Sequence, residues 1–311
     1  MDKIHFPYRA DSHLRLLHVI QESGAWEKQG LDVDYNYCIS AEEAHRGIAD
    51  GTIEFVGGTH VSPYSERPKG DRWIYLGQSV RHLNFNLIVK PDSRVSGVAD
   101  LKGKVVAHGG GGHPSLNVWL YFKQRGLDVD TGGVNFEVIK GEEKLWEAVR
   151  QGTVAAAIVV PPVERPARRA GLKVVPLDPL PMIEFTTFSS GLPFVEKHPD
   201  IVERFLKAMV EGIAFFKTRR KETISIIKNR YKVDGDLDDE TATYLYDELN
   251  DRLSRKPYPT LEAIQNAYQL ALRQDDTAEK TNPMELWDLY HLRRIDDSGF
   301  IDNLYGNQNR R

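Results

Sequence analysis

Two short stretches of this chain gather residue types that bind anions. The first, Pro7-Tyr8-Arg9-Ala10-Asp11-Ser12-His13, offers a guanidinium for bidentate pairing with a carboxylate or sulfonate, donors at Ser12 and His13, and an aromatic wall at Tyr8. The second runs from Gly109 to Gly112 and continues as His113-Pro114-Ser115. Its glycines remove every Cβ where a helix begins, so bare N–H groups at Gly110, Gly111 and Gly112 can face a ligand at the positive end of the helix dipole. Pro114 at the first helical position and Ser115 beside it suit a helix start.

A third turn, Gly57-Gly58-Thr59-His60-Val61-Ser62-Pro63, adds Gly58 and Thr59 as ligand contacts and His60 as a donor or general acid–base. His113, Pro161 of the Pro161-Pro162 turn, and Thr187 complete the candidate contacts. Tyr8, Tyr64, Trp119 and Phe188 are candidate aromatic walls, and Arg81 and His82 could reach the site from a neighbouring strand. Each of these features also has a structural reading. Asp11 or Ser12 can cap the next helix while Arg9 is solvated, His60 and His113 can be satisfied polar groups, Trp119 at helical spacing fits a core, and glycine and proline punctuate ordinary turns.

The elements that would hold these turns follow from hydrophobic patterning. Residues 1–190 alternate short apolar runs with amphipathic stretches, the mark of an α/β protein with largely parallel strands, and the remainder reads as mostly helical. Ile53–Val56, Val105–Ala107 and Ala156–Val160 each run into one of the polar or bare turns. In open α/β sheets ligands gather outside such carboxyl ends of strands.

Composition removes several function classes. The 311 residues carry a net charge of −4, which gives no electrostatic reason to expect nucleic acid. No apolar run reaches the ~18 residues of a membrane span. Cys38 is the single cysteine, so internal disulfides and multi-cysteine metal sites are excluded. His60, His82 and His113 lack ligand spacing, and the glycine run lacks both the Gly-Lys-Ser/Thr ending of a P-loop and the Gly-x-Gly-x-x-Gly of a dinucleotide site. Neither a metal nor a cofactor is expected.

Several segments together resemble the nitrate/taurine-type substrate-binding family, which also includes the enzymes that make the thiamine pyrimidine. They are Glu22-Ser23-Gly24-Ala25-Trp26-Glu27-Lys28-Gln29-Gly30-Leu31-Asp32-Val33, Val98-Ala99-Asp100-Leu101-Lys102-Gly103-Lys104-Val105-Val106, and Gly152-Thr153-Val154-Ala155-Ala156-Ala157, where Ala155 replaces the usual Asp. Further along come His198 to Ala208, which opens a long helix, and the closing segment Asp297-Ser298-Gly299-Phe300-Ile301. The resemblance implies a two-lobed periplasmic-binding-protein (type II) fold with a hinge of two crossings, near Phe85–Lys90 and Thr186–Gly191. Lobe one would then be residues 1–86 and 190–311, and lobe two residues 87–189, with ligand enclosed between them by hinge closure.

The role this implies is a monomeric substrate-binding protein that delivers a small organic anion, an aromatic carboxylate or sulfonate included, to an ABC permease. The same fold also carries enzymes. The pyrimidine synthases of the family use a cysteine-rich stretch that is missing here. The aryl-sulfinate desulfinases use a cysteine whose position falls at Asp11. A lyase or hydrolase of aromatic acids built on Asp11, His60 and Arg9, such as a decarboxylase, and a cytoplasmic ligand sensor are the alternatives. The periplasm is expected if an export leader has been removed, and the cytoplasm if Met1 is the native start.

Overall fold

A computed structural model describes residues 1–58, 61–110, 113–232 and 235–306, with the backbone alone at 113–115 and 184–186. The strands are β1 (Asp2–His5), β2 (Leu31–Asp34), β3 (Val56–Gly57), β4 (Trp73–Leu83), β5 (Asn86–Val89), β6 (Val105–His108), β7 (Asn135–Val138), β8 (Ala156–Val159), β9 (Lys173–Pro176) and β10 (Leu180–Gly191). The helices that matter below are α1 (Leu14–Glu22), α2 (Ala25–Lys28), α3 (Ala41–Asp50), α4 (Ser62–Glu66), α5 (His113–Lys123), α6 (Glu142–Gln151), α7 (Glu164–Arg169), α8 (Leu192–Lys197) and α9 (Pro199–Thr218). The chain divides into two compact units, Met1–Arg81 with Met182–Arg311, and His82–Pro181.

In unit one, β1 pairs in parallel with β2, and β3 pairs antiparallel with β10, which also borders β4. Backbone bonds from Phe55 N–H to His5 O (3.1 Å) and from Gly57 N–H to Pro7 O (2.9 Å) join the two sets of strands. α1 is buried from Leu14 to Ile20 and packs on α9, whose Gly212 leaves no room for a side chain: a Cβ there would lie 2.4 Å from Ile20 Cγ1. Phe55 stacks on Phe205 of α9 at 3.8 Å between ring centres, which fixes the strand against the helix. α3 starts at a capping box in which Ser40 accepts from Glu43 N–H and the Glu43 carboxylate accepts from Ser40 N–H.

Unit two holds a five-stranded sheet in the order β7-β6-β8-β5-β9. β6 runs parallel to β7 and β8, whereas β5 runs antiparallel to β8 and β9. The largely parallel sheet expected from the alternation is therefore mixed. β8 and β9 are linked through α7 as a crossover unit, and β5 is inserted between them in the opposite direction. All four residues of β8 are buried, and α6 turns Leu145, Trp146 and Val149 into the core beneath it.

The chain passes between the units within β4 and β10, slightly earlier than the crossings expected near residues 85–90 and 186–191. The short helices α2 and α8, and those at Tyr290–Asp297 and Phe300–Leu304, carry too few turns to show a period in sequence. Within the stretch expected to be mostly helical, Pro283–Leu286 forms a 3-10 turn. No helix among the described residues is long and apolar enough to cross a membrane.

Candidate functional site

The turn after β1 is the best-defined polar cluster. Past His5 the backbone keeps its place in the sheet: Phe6 N–H donates to Asp34 O (2.8 Å), Tyr8 N–H to Tyr37 O (3.1 Å), and Ile39 N–H to Tyr8 O (3.1 Å). Pro7 to Arg9 are thus clamped between residues 37–39 on one side and Gly57 on the other. Gly58 has φ +132°, and a Cβ built on it would meet Arg9 Cβ and Cγ at 2.9 Å and His13 Cε1 at 3.1 Å. The aliphatic stem of Arg9 and the ring of His13 therefore occupy the volume a side chain at 58 would need.

The electrostatics of this cluster are unusual. Arg9 is half-buried, and its Nε has no hydrogen-bond partner among the described residues. Desolvation lowers its pKa, partly opposed by Cys38 and Glu43. Glu43 is already engaged at the start of α3. Because a guanidinium stays charged in proteins, a half-buried one short of partners favours an incoming anion. His13, 4% exposed, has its pKa pushed down to about 3 by burial first and then by Arg15 and Arg9. Its imidazole is neutral at physiological pH, so it is not a cationic donor. Burial and then Asp11 raise the Tyr8 hydroxyl to about 12, with Asp11 also hydrogen-bonded to it.

Thr187 lies on β10 one residue before Phe188, which pairs with Gly57, so the register sets Thr187 against Gly58. Its buried Oγ1 has no hydrogen-bond partner among the described residues. Tyr8, Arg9, His13 and Gly58 thus meet in unit one, and Thr187 adjoins them by register. Cys38 was missed as a neighbour because nothing in its spacing points to it. The parallel bridge between Tyr8 and Cys38 brings it there. Burial, followed by Asp11, raises the thiol's pKa, which disfavours the thiolate a desulfinase-type reaction needs.

Several expectations need correction. Neither Asp11 nor Ser12 caps a helix: the 3-10 turn Asp11–His13 and α1 both begin without a side-chain cap bond. Asp11 is exposed and turns to Tyr8 instead, and Ser12, half-buried, offers its carbonyl to Arg15 Nε (3.5 Å). Tyr64 and Phe188 are fully buried against Tyr75 and Phe205, so they are core rather than walls. Trp119 is buried with Lys123 over its ring, and Arg81 is exposed. α5 begins at His113, one residue before the expected Pro114.

In unit two, β6 ends at His108, which is buried and whose pKa is lowered by desolvation, opposed by a backbone hydrogen bond with Gly110. Gly109 is exposed, and a Cβ there would come no closer than 4.0 Å to Ile139 O. Gly110 is half-exposed, and α5 starts three residues later, with Ser115 in its first turn. Pro161 follows β8 and is half-buried. Thr59, His60, Gly111 and Gly112 lie outside the described residues, as do the side chains of His113 and Ser115. No cluster of three or more His, Cys, Asp or Glu suited to a metal ion occurs among the described residues.

A family model described as NMT1/THI5 like matches residues 16–222, two thirds of the chain. The chain belongs to this NMT1/THI5-like family. Solved structures give the fold. The NMT1/THI5-like chain matches a putative periplasmic sulfonate-binding protein, SsuA, from Methylobacillus flagellatus KT with a TM-score of 0.72, 15% identity, and coverage of 98% of this chain and 96% of that one. Against the periplasmic aliphatic sulphonate binding protein SsuA of Escherichia coli the TM-score is 0.66, at 16% identity over 92% and 96% of the two chains. The desulfurization enzyme DSZB matches at a TM-score of 0.61 and 14% identity, over 96% and 99%. At these identities the likeness establishes the periplasmic-binding-protein fold. No curated protein matches the chain by sequence.

Proposed function

We propose that this chain is the substrate-binding protein of an ABC-type uptake system and captures a small organic anion, a sulfonate or carboxylate, by hinge closure. The observation that carries the reading is Arg9: a half-buried guanidinium with an unbonded Nε, in the turn after β1 and with its stem pressed against Gly58, which follows β3. A bidentate oxyanion satisfies such a group at little geometric cost. Tyr8 supplies the adjoining wall and Thr187 a hydroxyl donor. Gly110, Gly111, Gly112, His113, Ser115 and Pro161 are the contacts unit two would bring, and Thr59 and His60 would extend the unit-one wall. The similarity to two proteins described as sulfonate-binding supports the anion class. A permease is the partner, and the periplasm the compartment in which it would be met.

The likeness to DSZB favours a second reading, an enzyme acting on an aromatic acid with Asp11, His60 and Arg9 at the reacting centre. The neutral His13 and the protonated Cys38 weaken it, since neither supplies a strong nucleophile or a cationic acid beside Arg9. Isothermal titration calorimetry with short alkanesulfonates, taurine, benzoate and benzenesulfinate separates the two. Saturable binding at one site per chain without turnover is the expected result. Release of carbon dioxide or sulfite during incubation assigns the enzyme, and absence of binding across the panel overturns both.

A further inference from the structure

Unit one also brings together three side chains from separate segments of the chain. His45 stands on α3, Ser62 opens α4, and Asp71 lies in the turn before β4. His45 Nδ1 is 2.6 Å from Asp71 Oδ2, and His45 Nε2 is 2.7 Å from Ser62 Oγ. Asp71 is itself held, because its Oδ1 accepts the Trp73 N–H at 2.7 Å. The Trp73 ring packs on the imidazole at 4.9 Å between centres, which fixes the plane of His45. A carboxylate only accepts, so it draws the imidazole proton to Nδ1 and leaves the Nε2 lone pair for the serine hydroxyl.

We propose that Ser62 is an activated nucleophile, with His45 as its base and Asp71 as the group that orients the base, and that it takes up small activated acyl or phosphonyl groups. Nucleophile, base and orienter within hydrogen-bond reach is the arrangement that defines such sites on unrelated folds. The imidazole and carboxylate keep 19% and 18% side-chain exposure and Ser62 is half-buried, so a small electrophile has access. In the step, Ser62 Oγ forms a bond to the carbonyl carbon of an ester while its proton passes to His45 Nε2. The bond to the leaving alkoxide then breaks, the alkoxide departs with the electron pair and takes that proton, and the acyl group remains on Ser62.

One local feature sets the rate. The residue after the nucleophile is Pro63, which has no N–H, whereas that position commonly supplies an oxyanion donor. Loss of such a donor slows acyl transfer by about 10²–10³-fold. Hydrolysis of the acyl-serine passes through the same kind of oxyanion and is slowed as well, so an acyl group once formed stays on Ser62. This inference is independent of the anion-binding reading, because none of its three residues is a proposed ligand contact.

The test uses the full chain with a fluorophosphonate probe, followed by peptide mapping, and with p-nitrophenyl acetate in stopped-flow. One label per chain at Ser62 and a burst of one equivalent of p-nitrophenolate are expected. Ser62→Ala abolishes both, and His45→Gln slows labelling about 100-fold or more. Asp71→Asn slows it as well, while its circular dichroism and melting temperature report that the fold is intact. An unlabelled native chain, labelling at another residue, labelling no faster than in heat-denatured protein, or an unchanged rate in folded His45→Gln each overturns the proposal. The wild-type measurement decides by itself if a variant fails to fold.

Discussion

The turns that end β3 in unit one and β6 in unit two both combine glycine with histidine, yet they are built on opposite principles. At Gly58 the glycine is obligatory: φ is +132° and the stem of Arg9 already fills the space of a side chain. At Gly109, within the run of glycines that dominates the sequence, the nearest foreign atom is 4.0 Å away and the residue is exposed. The conspicuous glycines are therefore not the constrained ones. At Gly58 the contacts that enforce glycine come from polar side chains, and there the chain holds Arg9 with an unbonded Nε. A glycine with open space leaves backbone available and commits nothing.

The sharpest way to break this contrast is at Gly58. Gly58→Ala places a Cβ against Arg9 and His13 in a conformation L residues avoid, and should destabilise the protein by about 3 kcal/mol and weaken anion binding with it. Urea denaturation reads the first effect and calorimetry the second. An unchanged midpoint would mean that the close packing at Gly58 is not rigid.

Arg9→Ala should leave folding nearly intact while weakening the bound anion by about 1.5–3 kcal/mol, the worth of a charge-assisted contact. A dissociation constant equal to that of the native protein removes Arg9 from the site.

The buried histidines give unit one an acid liability. His13 titrates near 3 when folded against 6.5 ordinarily, and His18, bonded to the Tyr35 hydroxyl at 2.9 Å, is lowered to about 4 by burial and then by Arg230. Between those values the unfolded chain binds more protons, so stability is present above 6.5 and falls as the pH falls toward 3. His13 alone accounts for about 2 kcal/mol lost by pH 5. Thermal melts from pH 7 to pH 5 check this, and His18→Gln should flatten part of the slope. A melting temperature that is level over this interval would show both rings to be solvated.

The smallest effect belongs to the other side of the comparison. Gly109→Ala should change stability by less than about 0.5 kcal/mol, as surface substitutions do. A destabilisation equal to that of Gly58→Ala would erase the distinction between the two turns.

The segments Val105–Ala107 and Ala156–Val160 were legible as strands because apolar residues run together there, a local property that survives into the fold. The polar turn Pro7–His13 was legible for the same reason: ionisable residues follow directly on a strand. What the sequence could not supply was partnership across the chain. It favoured Asp11 or Ser12 as a helix cap, but Tyr8 buries its hydroxyl beside Asp11 and takes up that carboxylate. It left Cys38 unplaced, because only the parallel bridge to Tyr8 brings the thiol to the site. Likewise His45, Ser62 and Asp71 carry no motif, and meet only because α3, α4 and the approach to β4 converge.

The amino-acid order by itself determined the alternation of strands and helices, the family likeness and the gathering of polar residues and glycines after strands, since each depends on neighbours within a few positions. Tertiary structure alone decided which glycine is indispensable, which histidine is neutral and which serine meets a base. Those properties arise from burial and contact between segments tens of residues apart, and no local pattern encodes them.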